Sequence, residues 1–124
     1  MSDVVVERIR ECEPYRGPHA IPGIEFRPVG KAVGASAWGM NVLEIEAGCE
    51  GYPEHDHRED GQEEVYVVLD GSGKLVADRS ERALEAGMAV RVGPEVKRKF
   101  LPGDDGLVLL AIGGTPGHAY SPPG

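Results

Sequence analysis

The chain has 124 residues, among them 18 glycines and 10 prolines, and a formal net charge of -8. That length suits one domain with one core, and the negative charge argues against nucleic acid and anionic membrane as partners, since both are polyanions. Plentiful turn formers and short apolar runs favour an all-β chain over a helical bundle, and no apolar stretch approaches the roughly 20 residues that span a bilayer.

The first residues, MSDVVVERIRECEP, mix charges among the valines and lack the continuous apolar segment of a signal peptide. The expected location is therefore cytoplasmic. Cys12 and Cys49 stand in no metal or redox spacing and read as free thiols. Val4 to Ile9 alternates as a short strand. Pro14 to Pro22 is turn-rich, with His19 a solvated loop histidine. Ile24 to Val29 reads as a second strand. Lys31 to Gly39 is rich in glycine and alanine, with Trp38 near its end, and no helix of any length is expected. Met40 to Ala47 is a clear strand, with Asn41, Leu43 and Ile45 facing inward and Val42, Glu44 and Glu46 facing mostly water.

Gly51 to Gly73, GYPEHDHREDGQEEVYVVLDGSG, carries the chemistry. On a strand His55 and His57 share one face, because side chains alternate with period two. A carboxylate arriving from a neighbouring strand would complete a site for a divalent metal, and imidazole with carboxylate suits zinc, iron, nickel, copper or manganese. The other acids of the cluster, Glu54, Asp56, Glu59 and Asp60, read as solvated charge, with Glu63 a reserve ligand. Glu64 to Leu69 and Lys74 to Asp78 then read as a hairpin about Asp70-Gly71-Ser72-Gly73. Both faces of Val65 to Leu69 are apolar, so something must cover its back. Further strands follow at Arg82 to Leu84, Met88 to Val92, Lys97 to Leu101 and Gly106 to Ile112. Residues 113–124 have the composition of a loose tail, which makes His118 a poor ligand.

Eight or more short strands suggest a jelly roll, and the motifs make the likeness specific. Gly48 or Gly51, His55-Asp56-His57, Glu64 and Gly71 match the first motif of the cupin superfamily, including the spacing from glutamate to glycine. Gly87, the strand Met88 to Val92, the Gly93-Pro94 turn and Phe100 match its second. The chain resembles that superfamily over about 48–73 and 87–102. The resemblance implies a cupin-type jelly roll, or double-stranded β-barrel, over residues 1–124. It implies a metal on His55, His57 and Glu64, a small-molecule ligand, and a homodimer formed through the sheet backs. The enzymes of the superfamily include dioxygenases, isomerases and decarboxylases; other members bind sugars or store protein in seeds.

The chain departs from the pattern twice. Six residues, Arg58 to Glu63, separate His57 from Glu64 where the superfamily has three or four; extra loop residues cost little. The position of the fourth metal ligand, normally histidine, is Arg98, which has no lone pair to offer a cation. Alternation with Phe100 turns Arg98 inward, beside Tyr66 and Asn41 in the expected pocket. Three readings stay open at this point. In one, a three-ligand metal site has Arg98 clamping an anionic substrate. In another, Arg98 pairs with Glu64 in place of a metal in a small-ligand-binding module. In the third, the barrel is a structural or interaction protein without chemistry.

Overall fold

In the computed structural model, which describes residues 3–122, nearly all the regular structure is strand. The strands are β1 (Ile24–Arg27), β2 (Gly39–Ile45), β3 (Glu63–Ala77), β4 (Ser80–Glu85), β5 (Ala89–Val92) and β6 (Arg98–Gly114). All pairing is antiparallel, in a 6-stranded sheet of order β1-β2-β6-β3-β4, with β5 on β3. Among the described residues no helix is long and apolar enough to cross a membrane.

Two long strands hold the fold together. β3 has 15 residues and β6 has 17, and they pair from Glu63↔Gly114 to Ala77↔Arg98. The register shifts between Val68 and Asp70 and again between Gly71 and Gly73. Bulges of this kind bend a strand and change which residues face inward. On β3 the core residues are Tyr66 and Val68 before the bulges and Leu75 after them; on β6 they are Phe100, then Leu107, Leu109 and Ala111. The two strands thus belong to both halves of the barrel, and the core lies between the halves. Leu75, Leu84 and Phe100 pack in one cluster with Leu43, Ile45, Val68, Leu107 and Leu109.

This corrects the expected hairpin at Asp70 to Gly73. Gly71 has φ +77, but a Cβ there would collide with the backbone of Gly106 on β6. The glycines allow close approach of two strands inside a continuous ladder, not a chain reversal. The reversal comes later, at Asp78-Arg79, where both residues have positive φ (54 and 62) between the paired Ala77 and Ser80. That is a two-residue turn of the type hairpins favour, made without glycine. The separate strands expected at Lys97 to Leu101 and Gly106 to Ile112 are likewise one strand, and Gly113 and Gly114 of the expected tail are its last residues, with Gly113 buried.

The back of the sheet differs from expectation in three ways. Val4 to Val6 form no strand and are exposed, and the first regular turn is a 3-10 turn at Ile9–Glu11. A short helix, α1 (Val29–Val33), ends at Gly34 in the left-handed conformation. Val42, expected to face water, is fully buried in a second cluster with Cys12 and Val29, against which Met40, Val108 and Leu110 pack. The cover for the back of β2 and β6 therefore comes from α1 and the segment around Cys12. Glu44 is held by Arg27 at 2.9 Å across the β1–β2 pair.

Candidate metal centre

The His55–His57 segment reaches the barrel wall just before β3 and is fixed there by backbone bonds. His55 and Arg98 exchange amide–carbonyl hydrogen bonds (3.1 and 2.9 Å), and the His57 amide donates to Pro94 O at 2.8 Å. One residue of spacing then puts both imidazoles on one side, with ring centroids 5.1 Å apart and nearly perpendicular planes. Glu64 enters from β3. It sits in a row with Gly113 of β6 and Val92 of β5, and Gly113 leaves room for it: a Cβ at Gly113 would lie 3.2 Å from Glu64 Cγ.

His55 Nε2 lies 3.8 Å and His57 Nε2 3.1 Å from the same oxygen, Glu64 Oε1. The opposite nitrogens are both engaged. His55 Nδ1 lies 3.0 Å from Pro53 O, and His57 Nδ1 lies 3.1 and 3.2 Å from the two oxygens of Asp60. With Nδ1 donating, each ring turns Nε2 toward Glu64, the nitrogen that faces the carboxylate as a donor while it carries a proton and would offer its lone pair to a metal in place of that proton. This is how second partners orient histidines for a metal. The three donor atoms lie within 4.8 Å of one another, and among the described residues they are the one group of three or more such side chains so placed. Metal–ligand bonds near 2.1 Å put neighbouring donors about 3.0 to 3.5 Å apart, so two of these gaps need little or no closing.

Arg98 is the fourth group. It is 0% exposed, the one buried charged residue of the core among those described. Its Nη1 donates to Val96 O at 2.8 Å and reaches His55 O at 3.5 Å. Its Nη2 is 3.4 Å from Glu64 Oε1, an ion pair by distance but without hydrogen-bond alignment, so Nε and Nη2 have no hydrogen-bond partner. Tyr66, also buried, donates its hydroxyl to Glu64 Oε1. Phe100, 0% exposed, packs against Tyr66 with the rings tilted by 57° (centroids 4.6 Å) and meets Tyr52 edge-on at 5.3 Å. Asn41 pairs with Ala111, which pairs with Tyr66; Asn41 is thus in the Tyr66 row and faces the same side.

Several protonation equilibria are displaced. The Glu64 hydrogen bond raises His55 above 6.5, against the opposing effect of burial. Burial pushes Glu64 up, but hydrogen bonds from His55 and Tyr66 and the charges of His57 and Arg98 prevail, leaving it below 4.5. Burial pushes Tyr52 up to about 12 and raises Tyr66 as well, helped by the neighbouring Tyr52 and Glu64. Both phenols keep their protons at neutral pH, so Tyr66 acts on Glu64 as a donor.

Asp60 and Tyr52 were passed over in the sequence. Asp60 is half-exposed, as solvated charge should be, yet it holds His57. The turn that presents it is closed by Gly61 N donating to His57 O at 2.8 Å, with Gly61 at φ +70. The spacing His57-x-x-Asp60-Gly61 was the available signal. Tyr52 precedes His55 by three residues and is buried in the core. Glu63 is no reserve ligand: it faces the other side of β3, where Arg91 donates to it from Nε and Nη2 at 3.0 and 2.7 Å.

No family model matches the chain, and no curated protein matches it in sequence. Solved structures do. A cupin-superfamily sugar phosphate isomerase of Silicibacter pomeroyi shares 26% identity at a TM-score of 0.65, over 73% of this chain and 59% of that one. The chain has the fold of the cupin superfamily. It thus spans less than two thirds of that relative's length. A candidate sugar phosphate isomerase of Acidithiobacillus ferrooxidans shares 25% identity at a TM-score of 0.68, over 87% of this chain and 73% of that one. A predicted oxalate decarboxylase of Thermotoga maritima has the same fold at 21% identity and a TM-score of 0.70, over 88% and 97% of the two chains.

Proposed function

We propose that this cupin-fold protein binds a small anionic molecule and holds one divalent metal on His55, His57 and Glu64. The supporting observation is the orientation of the two rings: each has Nδ1 tied to an oxygen and Nε2 turned to one carboxylate oxygen. A core histidine with no metal role needs only its hydrogen bonds satisfied; two histidines and a carboxylate converging on one point are a donor set for Ni, Zn, Fe, Mn or Cu. Bound there, the metal would supply Lewis-acid polarisation of a ligand oxygen. The chain's own residues do the rest. Tyr66 fixes Glu64, Asp60 and Pro53 O fix the histidines, and Arg98 brings positive charge to the ligand. Two of the structural neighbours are named for anionic substrates, a sugar phosphate and oxalate, which agrees with an arginine in the pocket. Metal analysis of protein purified without an affinity tag tests the reading. Stoichiometric metal is expected, and it should be lost in His55→Ala with His57→Ala. Protein that takes up none of these metals at micromolar concentration would end it.

The contact of Arg98 with Glu64 favours a second reading, in which the guanidinium stands in for the metal and the barrel binds its ligand without one. In that case Arg98→Ala leaves a buried carboxylate short of its countercharge and destabilises the fold by about 3 kcal/mol. A homodimer belongs to the same proposal. Leu69 of β3 and Met88, which precedes β5 and accepts from the amide of Val68, stay 43% and 41% exposed. Sedimentation at tens of micromolar should show two copies; a monomer would remove this part.

A further inference from the structure

Resting on the metal reading, we infer that Arg98 makes metal binding depend on an oxyanion: the anion seats on the free edge of the guanidinium and supplies the ligand that the chain itself lacks. The inference starts from which nitrogens are used. Nη1 is spent on Val96 O and His55 O, so the group is anchored at one corner. The two nitrogens left without a hydrogen-bond partner, Nε and Nη2, are the pair whose N–H bonds run parallel along one edge. That edge is the fork that takes a carboxylate, or two oxygens of a phosphoryl group, side-on. A fully buried donor without a partner is costly, and this fork is 0% exposed.

Glu64 does not fill the fork. The shortest approach is 3.4 Å, from Oε1 to Nη2, and is out of alignment; Oε1 already accepts from Tyr66 and lies 3.1 Å from His57 Nε2. The Nη2 corner of the fork therefore lies beside the oxygen on which the two histidines and Tyr66 converge. An oxyanion seated there has its oxygens next to the metal donor set. It cancels the charge that would repel a divalent ion and replaces the missing fourth ligand. Metal and anion then each raise the other's affinity, and by linkage the two factors are equal.

The experiment measures Ni(II) affinity by calorimetry with chelator competition, in chloride, in acetate and in methyl phosphate at matched ionic strength. Acetate probes the carboxylate source and methyl phosphate the phosphoryl source. At least one is expected to tighten Ni(II) binding by roughly tenfold or more, with Ni(II) tightening that anion equally. Arg98→Lys keeps the charge and loses the fork, so the gain should shrink. Arg98→His removes both and should bind Ni(II) with no anion dependence. Ni(II) binding that is identical in the three salts overturns this inference and leaves the metal reading intact. Binding in none of them overturns both. A gain that survives undiminished in both variants puts the anion elsewhere and also overturns it.

Discussion

Arg98 on β6 and Glu64 on β3 meet at 3.4 Å, the Arg98 side chain wholly buried and that of Glu64 15% exposed. Neither group would be stable there alone. The carboxylate collects Tyr66, His57 and His55 as well, so a single oxygen is the point on which the site converges. The guanidinium has fewer partners than it can use. This imbalance sets what the site can do: it has donors in excess of its acceptors.

Arg98→His is the first prediction. A guanidinium about 4 Å from a divalent ion repels it by roughly 8 kcal/mol at an effective dielectric near 20. Histidine removes that charge and adds a neutral nitrogen donor. Relief of even a few kcal/mol raises metal affinity by roughly two orders of magnitude. Titration of Zn(II) into wild type and variant side by side checks it; equal affinities would mean that Arg98 exerts no force on the bound ion.

Asp60→Ala tests the orientation of His57. The variant loses the acceptor for His57 Nδ1 without touching a donor atom. Partners of this kind are worth about 10- to 100-fold in metal affinity, and Asp60→Asn, which can still accept, should recover part of it. Folding should be little changed, because Asp60 is half-exposed, and thermal melting of the chelator-treated protein provides that control.

The stability of chelator-treated protein should depend on pH from both sides. His55 is raised above 6.5, so its contribution is complete below that value and is lost as pH rises through the folded-state value. Glu64 is lowered below 4.5, so its contribution is complete above 4.5 and is lost as pH falls through the folded-state value. The maximum should therefore fall between 4.5 and 6.5. In His55→Ala the loss on the alkaline side should disappear and that on the acid side should shrink. Urea midpoints across pH measure both limbs.

The grouping of the candidate site's side chains was legible in the sequence because its signals are local and period-two. His55-x-His57 and the inward parity of Glu64, Tyr66, Arg98 and Phe100 depend on residues near one another on a strand. Long-range geometry was not legible. Asp70-Gly71-Ser72-Gly73 has the composition of a hairpin turn, and nothing nearby reveals that Gly71 is needed for a neighbour far along the chain. Val42 alternates as an outward residue, and only the return of Cys12 and Val29 over the sheet buries it. Asp60 looked like any solvated acid because its role depends on the direction of one turn.

Gly71→Ala is the prediction that separates a bulge from a hairpin turn. In a solvent-exposed turn, alanine at positive φ costs about 1 kcal/mol. Here the added Cβ also meets the carbonyl of Gly106, whose own φ is +80 and whose Cβ position is closed off by Ile45 O of β2. Neither strand can yield without breaking the register between β3 and β6 that continues on both sides. The expected loss is about 2 to 4 kcal/mol. Gly73→Ala should behave similarly, since its Cβ would strike Leu101 O. Arg79→Gly, at the true reversal, should instead gain roughly 0.5 to 1 kcal/mol by relieving a positive φ of 62. Chemical denaturation of the three variants decides it. A Gly71→Ala protein as stable as wild type would mean that β3 and β6 part at this point and that the long ladder is two separate hairpins after all.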